Sequence, residues 1–162
     1  MASRNLIRNY FIRRKANILE VICMLFIILF VYAALTKFME GDRFYNNIRN
    51  SPILGGRTVA SIGSWLIPLI GVTIALLIAW RKTRLIGLFG ALSLMFFFTG
   101  YTMAILFFAP YIPCSCSGVI SLLSWEQHLV FNIVFLALAV LGIVLFLKER
   151  KMSDRMEGLE VS

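Results

Sequence analysis

The sequence has few of the nitrogen and sulfur ligands that a structural zinc site needs, with one histidine and three cysteines in 162 residues. Cys23 lies in an apolar stretch, where an isolated cysteine usually behaves as a small hydrophobic side chain. That leaves Cys114, Cys116 and His128, and two thiolates with one imidazole are an incomplete ligand set for structural zinc. Such a set could suit Cu(I), a soft ion, so copper handling is one hypothesis for this chain.

Charged residues are also scarce, at 15% of the chain, whereas 60% of it is hydrophobic and the mean hydropathy is +0.86. An ordinary soluble domain does not have this composition. Charge-free runs of about 20 residues, the length that spans a bilayer, predict helices over residues 17–37, 62–80, 85–109 and 125–147. Pro110 and Pro113 are expected to end the third helix. The predicted fold class is an all-α, integral membrane four-helix bundle.

No polar stretch is long enough for a second domain. Residues 17–148 are predicted to form the membrane domain. Residues 1–16 read as a basic segment that forms an amphipathic helix on the inner leaflet, with a solvated basic tail as the alternative. Residues 149–162 read as a cytoplasmic tail, disordered beyond its first residues.

Basic residues exceed acidic ones, and the formal net charge is +8. They cluster at helix ends and make no basic face interleaved with aromatics, so nucleic acid is not an expected partner. Four of the 16 lie in the first connection, which leaves twelve in the N-terminal segment, the second connection and the tail. Because cytoplasmic segments carry the excess of Lys and Arg, both termini are predicted to be cytoplasmic. The third connection then faces the outer compartment, where disulfides persist.

The third connection contains Cys114 and Cys116 in the segment PCSCSG, residues 113–118. A disulfide between residues two apart closes so small a ring that it stabilises little, and its geometry requires a strained turn. Strained, accessible disulfides are the easily reduced ones, which favours a redox-active pair. The alternatives are two incidental loop thiols or a static bridge.

His128 follows one turn into the fourth helix, where Ser124 and Gln127 have the spacing of a capping box. The histidine could accept a proton from a cysteine or supply a third metal ligand. The alternative is a helix-start histidine that is hydrogen-bonded at the membrane interface. Lys37, at the outer end of the first helix, either lowers the pKa of a cysteine or extends to the lipid headgroups.

Three stretches carry a resemblance to a known family: AALTK at residues 33–37, the segment from Phe44 to Ser51 and Pro52, and PCSCSG leading into SWEQH at residues 124–128. Over about residues 17–148 the chain resembles the MauE branch of the DoxX-like proteins, small four-helix redox-associated proteins of bacterial inner membranes. The resemblance implies assistance to an extracytoplasmic thiol–disulfide pathway. The family is named for maturation of a disulfide-rich subunit of methylamine dehydrogenase. Its cysteines map onto Cys114 and Cys116, although Ser117 precedes Gly118 here, a departure from the family pattern.

The function predicted from the residues and the resemblance is thiol–disulfide exchange with an extracytoplasmic, thioredoxin-like partner through Cys114 and Cys116, with His128 as proton acceptor. A quinone could accept the electrons, by analogy with other helical-bundle thiol oxidases. The alternatives are a non-enzymatic assembly or docking subunit, and a Cu(I)-handling protein.

Overall fold

The structure is a computed structural model that describes residues 2–51, 55–108 and 124–160, with side chains described within residues 16–42, 44–51, 55–108 and 124–151. All of the regular elements in these ranges are helices. In chain order they are α1 (Ala2–Met39), α2 (Gly41–Arg49), α3 (Arg57–Ala79), α4 (Arg84–Phe108) and α5 (Trp125–Glu160).

Four of the described helices are long and apolar enough to cross a membrane, over Ala16–Met39, Arg57–Ala79, Arg84–Phe108 and Trp125–Lys151. This confirms the predicted fold class. The short α2 lies in the first connection and packs mainly on α3. Only 28 to 33% of each apolar window is buried inside the protein, which is what a helix surrounded largely by lipid requires.

Two helices extend beyond the predicted spans. α1 begins at Ala2 and continues without a break into its membrane span, and α5 continues to Glu160. The prediction that the tail is disordered beyond its first residues is therefore wrong as far as Glu160. Lys, Arg, Glu and Met dominate this stretch and it contains no proline, so intrinsic helix propensity carries the helix past the apolar run.

The four spanning helices pack in a ring, α1 on α3, α3 on α4, α4 on α5, and α5 back on α1. Phe26 of α1 is fully buried at the centre, stacked on Phe30 and edge-on to Phe135 of α5, with ring centroids 5.8 and 5.5 Å apart. Edge-to-face and offset-stacked pairs are the favoured aromatic geometries. The other core side chains are apolar: Leu19, Ile22, Cys23, Ile74, Ala75, Ile78, Leu88, Ala91, Met95, Ala139 and Ile143.

Gly87 lets α3 and α4 approach closely after their short turn. A Cβ atom at this position would lie 2.7 Å from the backbone nitrogen of Ile78. Small residues at helix interfaces are the usual route to close packing in lipid, where helices gain little from hydrophobic burial against one another. The sequence spacing of Gly87 and Ala91 predicts this contact, and both residues are buried.

Candidate functional site

The connection between α4 and α5 begins and ends at the same end of the bundle. α4 ends at Phe108 and α5 begins at Trp125, and the two helices pack side by side. We call this the loop end, and we call the opposite end, where α3 turns into α4, the turn end. Cys114 and Cys116 belong to the connection and lie outside the described residues. The two helix ends that hold the connection, and the side chains around them, are described.

A reciprocal capping box begins α5, as its sequence predicts. The Ser124 amide donates to Gln127 Oε1 at 3.0 Å, and the Gln127 amide donates to Ser124 Oγ at 3.3 Å. The His128 amide donates to the Ser124 carbonyl at 2.9 Å, so the histidine backbone is fixed in the first turn. These bonds satisfy donors that a helix N-terminus otherwise leaves unpaired.

The His128 ring is half-buried, and its Nδ1 atom is buried with no hydrogen-bond partner among the described residues. Buried polar atoms are nearly always paired in folded proteins, so this nitrogen stands out. An unprotonated imidazole nitrogen accepts a hydrogen bond or a proton. His128 therefore has, at the loop end, the capacity that a proton acceptor needs.

Lys37 lies in the last turn of α1, at the loop end. Its Nζ atom lies 3.9 Å from the ring centroid of Phe44, a buried residue of α2. This cation–π contact fixes the ammonium group of Lys37 against α2. The sequence singled out Lys37 but did not predict its contact with Phe44, since the contact depends on how α2 folds back beside α1.

Buried and partly buried polar pairs lie near the same end. Asn132 is one helical turn after His128, and its Nδ2 atom donates to Thr102 Oγ1 of α4 at 3.3 Å. Thr102 in turn donates to the Phe98 carbonyl at 2.7 Å. Ser51 and Tyr101 share a hydrogen bond of 2.9 Å between their hydroxyl oxygens. Asn132 is a site residue that was not predicted, although a lone amide within a charge-free run is a signal for one.

A metal site is not assembled within the part of the chain that the structure describes. No group of three His, Cys, Asp or Glu side chains comes together there. Because Cys114 and Cys116 lie outside that part, the copper hypothesis stays a prediction. The described side chains near the loop end supply an imidazole nitrogen, an ammonium group and neutral hydrogen-bonding groups.

Four apolar spanning helices, with polar side chains gathered where the cysteine-bearing connection meets the bundle, define a multi-pass membrane protein. The family model described as "Methylamine utilisation protein MauE" matches residues 15–145, and the chain belongs to this family. No curated protein and no solved structure matches the chain.

Proposed function

We propose that this chain is a membrane thiol–disulfide exchange protein in which Cys114 and Cys116 react with a thioredoxin-like partner outside the cytoplasm. The observation that carries the proposal is the His128 ring, whose Nδ1 has no described partner, at the end of the bundle where the cysteine-bearing connection begins and ends. Membership of the MauE family supports the same conclusion.

The proposed reaction consists of two successive thiol–disulfide exchanges. The thiolate of one cysteine attacks a sulfur atom of the partner disulfide, forms a mixed disulfide and releases a partner thiolate. The second cysteine then attacks the mixed disulfide, which leaves an intramolecular disulfide in this chain and a dithiol in the partner. Two electrons and two protons pass to the partner, and the reverse sequence oxidises the partner instead.

His128 is proposed as the proton acceptor for the attacking thiol and, in its protonated form, as the donor to the departing thiolate. Only the thiolate is an effective nucleophile, so removing the proton is part of the reaction. Lys37 is proposed to stabilise the thiolate by its positive charge, as a cation near a thiol does. Its contact with Phe44 holds it at the loop end.

The test replaces each reactive cysteine singly, as Cys114→Ser and Cys116→Ser, in the full chain reconstituted in lipid. Both variants should lose disulfide exchange with oxidised thioredoxin as the probe, while their helical circular dichroism is unchanged. One of them should accumulate a mixed disulfide, because the resolving thiol is missing. Cys23→Ala is the matched control, as Cys23 is buried in the bundle core and should not take part.

The same variants separate the other hypotheses. A docking subunit predicts that the doubly substituted Cys114→Ser, Cys116→Ser chain still supports its partner. A copper protein predicts stoichiometric metal in the parent chain that this variant loses. Full exchange activity in both single variants would overturn the proposal.

A further inference from the structure

A cavity of about 310 Å³ opens at the turn end of the bundle, remote from the loop end. Its walls are almost entirely apolar, and Trp80 and Leu76 are 71 and 61% exposed. The lining residues come from the last turns of α3 and from the turn that follows: Thr73, Leu76, Leu77, Trp80, Lys82 and Thr83. The cavity therefore lies where the α3 span ends, at the level where hydrocarbon meets headgroups.

The cations of this turn have different surroundings. Arg81 Nη2 lies 3.4 Å from Glu20 Oε1 of α1. Arg84 donates from Nε to the Ile78 carbonyl at 3.3 Å. Lys82, by contrast, lines the cavity. One exposed basic residue, Lys82, therefore borders an open and almost entirely apolar cavity.

Hydrogen bonds within the turn between α3 and α4 fix the backbone that forms one wall of the cavity. Thr83 donates from Oγ1 to the Leu77 carbonyl at 3.0 Å and lies 3.3 Å from the Trp80 carbonyl. The Thr83 amide also donates to the Trp80 carbonyl at 3.1 Å. These bonds satisfy carbonyl groups that the end of α3 would leave unpaired, and they fix the position of the turn.

We propose that this cavity binds an anionic phospholipid. One acyl chain packs against Leu76, Leu77 and Trp80, and the phosphate lies at Lys82. Free phosphate would interact with the charge of Lys82 but not with the apolar wall. A zwitterionic lipid would pack against the wall but interact more weakly with the charge. Basic residues at a membrane surface attract anionic lipids, and Trp is favoured at headgroup level.

The test measures quenching of Trp80 fluorescence in nanodiscs that contain lipids with brominated acyl chains. Trp65 and Trp125 are replaced by Phe, so that Trp80 is the emitting residue. Brominated phosphatidylglycerol should quench Trp80 more than brominated phosphatidylcholine at the same fraction of lipid. Lys82→Gln should reduce the relative affinity for phosphatidylglycerol about fivefold, the effect of one basic residue near the surface. Lys151→Gln removes an exposed charge that does not line the cavity, and should keep the preference.

Equal quenching by the two lipids in the parent chain, or the same preference in the Lys82 variant, would overturn the proposal. Inorganic phosphate added at constant ionic strength should not abolish the preference, and its loss would indicate a free-anion site instead. Native mass spectrometry of the unmodified chain and of Lys82→Gln repeats the comparison without the tryptophan substitutions. The second should retain phosphatidylglycerol about fivefold less well than the first.

Discussion

His128 and Lys37 come from the last and the first spanning helices and lie at the same end of the bundle. The ammonium group of Lys37 contacts the ring of Phe44 in α2, so its position depends on the first connection as well as on the end of α1. Asn132, one turn deeper, is bonded to Thr102 and 3% exposed. The polar residues near the loop end are therefore fixed by contacts between different helices.

Replacement of His128 by asparagine is expected to slow thiol–disulfide exchange by about a hundredfold, the lower range for losing a general acid–base group. Asparagine retains hydrogen-bonding capacity but cannot take up a proton at neutral pH. The decrease in rate therefore measures the contribution of proton transfer by His128. The measurement is the rate of exchange with oxidised thioredoxin at several pH values. The pH dependence of that rate should be flatter in the variant than in the parent chain.

Glu126→Gln is the matched control for His128→Asn. Glu126 is exposed in the first turn of the same helix, and its substitution changes charge without removing a ring nitrogen. The control should exchange disulfides at nearly the parent rate. If the two substitutions slow the reaction equally, the proposed role of His128 is wrong and only the stability of the helix start matters.

At the scale of elements, the contact between α3 and α4 depends on the absence of a side chain at Gly87. The backbone of Ile78 lies where a Cβ atom would project, and backbone cannot move aside as a flexible side chain can. At Gly100, on the same helix, no atom of the described residues lies within 4 Å of the corresponding position. The two glycines therefore form a natural comparison.

Gly87→Ala is expected to destabilise the protein by about 1 to 3 kcal/mol, the usual cost of overpacking. Gly100→Ala should be neutral or stabilising by up to about 1 kcal/mol, because alanine loses less conformational entropy in a helix. The measurement is unfolding of each purified variant in mixed micelles, followed by circular dichroism. Equal stabilities would show that α3 and α4 pack less closely than the structure indicates.

The positions of the spanning helices could be predicted because charge-free runs of sufficient length require them. Several of their ends could be predicted as well, since α4 runs from Arg84 to Phe108 against the predicted 85–109 and α5 begins at the predicted residue 125. Other ends are displaced, because hydropathy detects only the part of a helix that lies in lipid. α3 begins at Arg57, five residues before the predicted residue 62, because Arg57, Thr58 and Ser61 are helical but polar. The same reason applies to the extensions of α1 and α5. Of the candidate site, His128 was predictable as the single histidine, whereas Phe44 and Thr102 enter through contacts between distant parts of the chain.

For the whole molecule, the distribution of charge gives the two ends of the bundle different characters. The turn end has the turn cations Arg81, Lys82 and Arg84 together with the ends of α1 and α5 that continue past the membrane spans. The loop end has the cysteine-bearing connection. Because the excess of Lys and Arg marks the cytoplasmic side, the turn end is expected in the cytoplasm and the loop end outside it.

Labelling of cysteines in spheroplasts with a membrane-impermeant maleimide tests this orientation. In a Cys23→Ala background, Cys114 and Cys116 should react after mild reduction without lysis. Ser153→Cys, in a chain whose native cysteines are replaced, should react only after lysis, because residue 153 follows the last span. The opposite pattern would place the thiol pair in a reducing compartment, where a strained disulfide does not persist, and would contradict exchange with an extracytoplasmic partner. That result would not contradict the proposed phospholipid site, because lipid binding there depends on Lys82 and the apolar wall in either leaflet.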